Sequence, residues 1–158
     1  MIPEKVRCVL EEHNLTAMEF APGSTPTSEL AAQQLGVSVG QIAKSMVLKA
    51  KSGQFYLAVC PGDRRICSKK AKQAIGSKVR MADADETEAA TGFKPGGVCP
   101  FGVEGLKILI DKGLADYEII YPAAGNDASG VPVTFTQLQA ITNARVVDVM
   151  LENENSQN

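Results

Sequence analysis

Apolar positions along the chain alternate between two spacings, and the switches between them mark out the elements. Ile2, Val6, Val9 and Leu10 recur at helical spacing, and Pro3 suits a first turn, so the pattern predicts a helix over 3–13 that ends near Asn14. Residues 17–20 read as a short strand, and Pro22-Gly23-Ser24-Thr25-Pro26 as a loop. Thr27 is placed to cap a second helix, with Glu29 in its first turn and Gly36 at its end. Ser38 caps a short turn leading to Ile42. From Lys44 to Ala50 the spacing becomes two. Lys44, Met46, Leu48 and Ala50 share one face, and Ser45, Val47 and Lys49 share the other.

Ser52-Gly53 is a hairpin signal, and a second apolar strand follows over 54–60. Ser68 is expected to cap a basic helix stopping at Gly76, before a short strand at 79–81. Asp83 with Glu86 three residues on is a capping box for a helix ending at Gly92. Strands are expected at 106–111, 118–121, 131–133 and 145–149, with a helix capped by Thr134 running to about Ile141. Strands linked both by hairpins and by helices predict one α/β domain over 1–151, a mixed, curved sheet surrounded by helices. The polar tail over 152–158 is expected to fray.

Composition narrows the function. At 158 residues, with 44% hydrophobic and 22% charged residues, the chain can bury a core without disulfide or metal staples. A net charge of -2 argues against a protein that holds duplex nucleic acid mainly by neutralising phosphates. A local patch at Arg64, Arg65, Lys69, Lys70 and Lys72 could grip one or two phosphates, or be a solvated helix face. Cys8, Cys60, Cys67 and Cys99 lack Cys-x-x-Cys spacing and His13 is the only histidine, so no metal site is expected. The opening MIPEKVRCVLEEHN has no apolar signal core, and no run approaches the length of a membrane helix. A cytoplasmic protein with reduced thiols, off the membrane, is the expectation, and with no apolar heptad a monomer.

Three features could carry chemistry. The segment from Gly92 to Gly105 holds five glycines and two prolines. Successive free N–H groups in such a loop can cradle an anion or a developing oxyanion, although a wide helix-to-strand connection has the same composition. Lys44 is predicted to share a face with apolar Met46 and Leu48, as a paired amine or as one that snorkels to water. Cys99 lies in the glycine loop and could be a nucleophile paired with His13, or a small packed side chain.

The order of the motifs goes further than the spacing. The run Glu29-Leu30-Ala31-Ala32-Gln33-Gln34-Leu35-Gly36-Val37, then Ile42-Ala43-Lys44-Ser45-Met46-Val47, resembles the opening of the YbaK family, which includes the editing domain inserted in bacterial prolyl-tRNA synthetase. Ala74-Ile75-Gly76, Ala82-Asp83, Thr91-Gly92, Gly96-Gly97-Val98-Cys99-Pro100-Phe101-Gly102, Ala124-Gly125-Asn126 and Val146-Val147-Asp148-Val149 follow in the family's order, so the likeness spans roughly residues 5–150.

The resemblance implies a free-standing deacylase, without cofactor or metal, that hydrolyses the ester of mischarged proline tRNA. It also implies a possible synthetase as partner. The alternative on the same fold is a non-catalytic module that binds a nucleotide or an aminoacyl compound. By resemblance, Lys44 anchors the acceptor end, and the backbone from Gly96 and Gly97 to Pro100 faces the ester. Ser45, Val98, Cys99, Gly102, Gly125 and Asn126 would contact the substrate. Ser45 stands where relatives often carry Thr, and Cys99 where they often carry Ser. These positions and Asn126 are expected to help set which amino acid is accepted.

Overall fold

The computed structural model describes residues 1–152, so the tail predicted to fray lies, from 153 on, outside the described residues. Helix α1 (Glu4–Glu12) buries Val6 and Leu10, and Asn14 closes it with a positive φ of 55°. Strand β1 (Met18–Glu19) precedes helix α2 (Ser28–Leu35), whose cap Thr27 accepts from the Leu30 N–H through its side chain. Gly36 ends α2 in the left-handed conformation. A 3-10 turn at Val39–Gln41 leads into strand β2 (Ala43–Ala50), which turns at Gly53 into strand β3 (Phe55–Pro61). Helix α3 (Ser68–Ile75), strand β4 (Val79–Met81) and helix α4 (Ala84–Thr91) follow. Strand β5 (Lys107–Asp111), strand β6 (Ser129–Gly130), helix α5 (Phe135–Thr142) and strand β7 (Arg145–Val147) complete the chain.

The main sheet has the order β4-β2-β3-β5-β7. β2 is antiparallel to both β3 and β4, while β5 runs parallel to β3 and to β7. This is the mixed sheet that hairpin and helical connections together require. One face carries Leu57, Val59 and Ile110 against Val6 and Leu10 of α1, Phe93, Phe101 and Leu138 of α5. The other carries Leu48, Tyr56, Ala58, Cys60 and Leu109 against Ala71 of α3, Val149 and Met150. Near-complete burial of these aliphatic side chains supplies the main driving force, about 1.5–3 kcal/mol for each large one.

Four expectations change. The strands expected at 118–121 and 131–133 reduce to single pairings, Ile120 with Val133 and Ile42 with Tyr121. Pro122 and Pro132 have no N–H to extend a ladder there. The last strand stops at Val147, because the Val149 N–H donates to the Asp111 carboxylate at 2.9 Å. The strand expected at 17–20 narrows to Met18–Glu19 and pairs with Ser129–Gly130 in a separate two-stranded sheet. Cys67 rather than Ser68 occupies the cap position of α3, with no side-chain cap bond.

Candidate functional site

A cavity of about 510 Å³ opens beside the first half of β2. Its floor is β2 from Ala43 to Val47. Its walls are the start of α2 with Thr25 and Pro26, the start of α4 with Ala82 and Thr87, the loop at Pro95, Gly96 and Val98, and the stretch holding Tyr121, Ala123 and Ser129. Of the residues singled out in the sequence, Lys44, Ser45, Gly96 and Val98 meet at this cavity.

Lys44 shares a face of β2 with Met46 and Leu48, as the alternation predicts, but that face is uncovered at this end of the strand. The side chain is exposed, not buried, and makes no ion pair among the described residues. It stands at the cavity rim as a free cation. The same end of the sheet holds Arg64, since Lys44 and Arg64 both bear electrostatically on the Cys60 thiol. Burial and then the Asp111 carboxylate push that thiol far up, so Cys60 is a neutral core group.

Ser45 points to the opposite face, toward the cavity. Its Oγ is buried and has no hydrogen-bond partner, and among the described residues it is the one buried side-chain polar atom in that state. An unpaired buried hydroxyl costs about 1–3 kcal/mol, so an orphan on a cavity wall marks a place where a ligand atom can repay the cost.

The glycine loop adopts its shape for local reasons. Gly96 has a φ of 91°, and a Cβ there would meet the Pro26 carbonyl oxygen at 3.4 Å. Glycine therefore lets this backbone turn left-handed while lying against the entry to α2. The Gly97 N–H donates back to the Lys94 carbonyl at 3.0 Å. Behind the loop, Thr25 Oγ1 accepts from the Ser129 N–H at 3.1 Å, and Ser129 Oγ donates to Asn126 Oδ1 at 2.7 Å while accepting from the Ala124 N–H at 3.0 Å. Asn126 Oδ1 also accepts from the Ala128 N–H at 3.0 Å.

Gly97, Cys99, Pro100, Gly102, Gly125 and Asn126 are not part of the cavity lining. They form the layer that holds it. Gly102 backs onto Lys5, and Gly125 onto Phe93 and Pro3. Cys99 and Pro100 are buried, and the Cys99 thiol donates to the Phe101 carbonyl at 3.8 Å. Burial pushes that thiol up to about 12, too high for a nucleophile at neutral pH, and His13 is exposed at the end of α1. Lining residues that the sequence did not single out include Thr25, Pro26, Ser28, Tyr121 and Ser129. Pro26 before the Thr27 cap was the one local signal among them; the others arrive through long-range pairing.

Among the described residues the lining contains one carboxylate, Glu29, and no histidine or cysteine. Its titratable chemistry is thus an ammonium at the rim, a carboxylate and a tyrosine, over a mostly apolar interior of Ile42, Val47 and Val98. Such a cavity can orient a small polar group and shield it from bulk water. Among the described residues no helix is long and apolar enough to cross a membrane.

Comparison with known proteins identifies the family. Residues 22–141 match the model of the aminoacyl-tRNA editing domain. Protein YwhH of Bacillus subtilis (strain 168) is 35% identical over 140 residues, 87% of each chain. EbsC of Enterococcus faecalis (strain ATCC 700802 / V583), provisionally assigned as a Cys-tRNA(Pro)/Cys-tRNA(Cys) deacylase, is 26% identical over 146 residues, 89% of each chain. A crystal structure of a protein provisionally assigned as a trans-editing enzyme for prolyl-tRNA synthetase superposes with a TM-score of 0.85 at 33% identity, covering 96% of this chain and 100% of that one. The chain belongs to the aminoacyl-tRNA editing domain family, the YbaK type.

Proposed function

We propose that the protein is an aminoacyl-tRNA deacylase acting in trans on mischarged proline tRNA in the cytoplasm, as a monomer folded over residues 1–151. The observation that carries this reading is the meeting of Lys44, Ser45, Gly96 and Val98 at one cavity in a chain of the editing-domain family. The Lys44 ammonium takes a phosphate at the acceptor end, where a point charge suffices for a flexible, solvated anion. That contact places the 3′-terminal aminoacyl ester over the cavity, and positioning of this kind turns a bimolecular hydrolysis into an oriented one.

Water attacks the ester carbonyl. The carbon–oxygen bond to the ribose breaks, the amino acid leaves as a carboxylic acid, and a proton passes to the ribose oxygen. Backbone N–H groups of Gly96 and Val98, the two residues of the Gly96–Pro100 loop that line the cavity, stabilise the oxygen on which charge builds. Gly97, Cys99, Pro100, Gly102, Gly125 and Asn126 act as positioning residues that hold the loop and the adjoining wall. The substrate's own ribose hydroxyl and a second water carry the proton, as the family resemblance implies, while the Glu29 carboxylate in the lining faces the cationic end of the aminoacyl group. One carboxylate is too small a ligand set for a divalent cation, and the reaction proceeds without metal.

The likeness to EbsC and to the trans-editing structure supports proline tRNA as substrate and a prolyl-tRNA synthetase as the source of the error. The test is a panel of proline tRNA carrying Ala, Ser, Cys or Thr, each with and without EDTA. Release of at least one, unaffected by chelation and absent with a different mischarged tRNA, is expected. Ligand binding without release from any member would make the protein a non-catalytic binding module.

A further inference from the structure

The outer edge of β2 is paired at both ends and open in the middle. The phase of its ladder is set by two bonds, Ala50 N–H to the Gln54 carbonyl at 2.8 Å and Gly62 N–H to the Ile42 carbonyl at 2.9 Å. Even-numbered residues of β2 therefore turn their backbone groups toward β3, and odd-numbered residues turn theirs away. On that outer side, the Ala43 N–H is taken by the Tyr121 carbonyl at 3.1 Å, and the Val47 carbonyl takes the Ala82 N–H at 2.9 Å. Strand β4 pairs only with Leu48, Lys49 and Ala50. Ser45 lies between these closures, and its N–H and C=O have no partner among the described residues. The cavity occupies this gap, with the orphan Ser45 Oγ beside it.

An extended residue on an open edge offers one N–H and one C=O side by side. Its natural complement is a single residue presenting the reverse pair, as in a hydrogen-bonded antiparallel pair. An aminoacyl ester carries that pair on its own α-carbon: an ammonium donor and a carbonyl acceptor. We propose that the open edge of β2 at Ser45 binds the aminoacyl group as a one-residue antiparallel strand, the Ser45 C=O accepting from the α-ammonium and the Ser45 N–H donating to the ester carbonyl oxygen. The Ser45 N–H then joins the loop donors from the strand side of the cavity. Glu29, the one carboxylate in the lining among the described residues, favours the cation. The side chain of the amino acid is left to the apolar interior, so the edge reads what all amino acids share and the walls read what differs.

This inference rests on the deacylase reading, and two measurements separate their fates. Proline is tolerated in a strand where its N–H would face away from the ladder, so Ser45→Pro removes the edge donor while sparing the bonds to β3. Ser45→Ala removes only the hydroxyl and is the control. With equal thermal midpoints, kcat for Ser45→Pro is expected to fall about 100-fold below that of Ser45→Ala, the usual loss for one oxyanion donor. Parity between the two overturns the inference and leaves the deacylase reading intact.

If Ser45→Pro does not fold, wild-type protein decides with the aminoacyl-tRNA it hydrolyses and the N-acetylated form of that same substrate. A fall in kcat/KM of about 100-fold on acetylation is expected, because the charged donor to the Ser45 C=O is lost. Equal rates overturn the inference. A wild type that hydrolyses no mischarged tRNA removes the deacylase reading and this inference together.

Discussion

Gly97 and Asn126 pack backbone against backbone: a Cβ on Gly97 would lie 2.8 Å from Asn126 Cα and 3.0 Å from its carbonyl carbon. Nothing flexible stands at that contact, so neither loop can give way without moving its neighbours. Asn126 is pinned through Ser129 to Thr25, and Thr25 and Ser129 line the cavity. The contact therefore transmits the position of the 124–129 loop to the glycine loop.

Gly97→Ala is expected to destabilise the fold by about 1–3 kcal/mol, the range for overpacking a close contact. That corresponds to a drop in thermal midpoint on the order of 2–12 °C in a chain of this length. Deacylation should fall more than stability alone explains, because the loop donors move. Calorimetry and single-turnover hydrolysis of the same preparation check this. An unchanged midpoint would contradict the packing.

Cys99→Ala should keep deacylation within about threefold of wild type, since Cys99 is buried, its thiol is pushed up to about 12, and it lies outside the cavity lining. In the folded protein the exposed Cys8 should react first with a thiol reagent, with Cys60 and Cys99 protected until unfolding. Loss of activity in Cys99→Ala at full folding would restore a thiol mechanism.

Glu86 ties three elements of the cavity wall together. Arg80 on β4 grips it through two bonds of 2.8 and 2.9 Å, the Asp83 N–H through the capping box at 3.1 Å, and Lys49 on β2 at 3.1 Å. These contacts, Arg80 first, hold its carboxyl well below the ordinary value of 4.5. A carboxylate whose folded value is depressed stabilises the fold above its unfolded value and loses that contribution as pH falls below it. Glu86→Gln is expected to lower the thermal midpoint at pH 7 by about 2–4 °C, the scale of a lost cap. The gap to wild type should narrow steadily below about pH 4.5. A gap independent of pH would contradict the charge-based account.

Legibility in the sequence followed the range of the interaction. Thr27, Asp83 and Thr134 cap helices through bonds to residues three positions on, and Gly36, Gly76 and Gly92 end helices in the left-handed conformation. Each signal sits within a few residues of its effect, so each could be read in place. Lys44 was placed on the right face by alternation, but whether that face is covered depends on where α3 lies, which no local pattern records.

The joining of Thr25, Ser129 and Asn126, and of Ile42 with Tyr121, spans about a hundred and about eighty residues respectively, too far for periodicity to reach. Composition marked the glycine loop, and motif order then gave it a role. The open edge at Ser45 was invisible in sequence, since it depends on β4 pairing with only the far half of β2.

Delivery of an aminoacyl ester to the cavity rests on the free cation of Lys44 at its rim. The most direct measurement compares wild type, Lys44→Ala and Lys44→Arg in deacylation of mischarged proline tRNA below saturation. Loss of a charge-assisted contact predicts a fall in kcat/KM on the order of 100-fold for Lys44→Ala at an unchanged thermal midpoint, with partial recovery in Lys44→Arg. Wild-type rates in a folded Lys44→Ala variant would contradict the account.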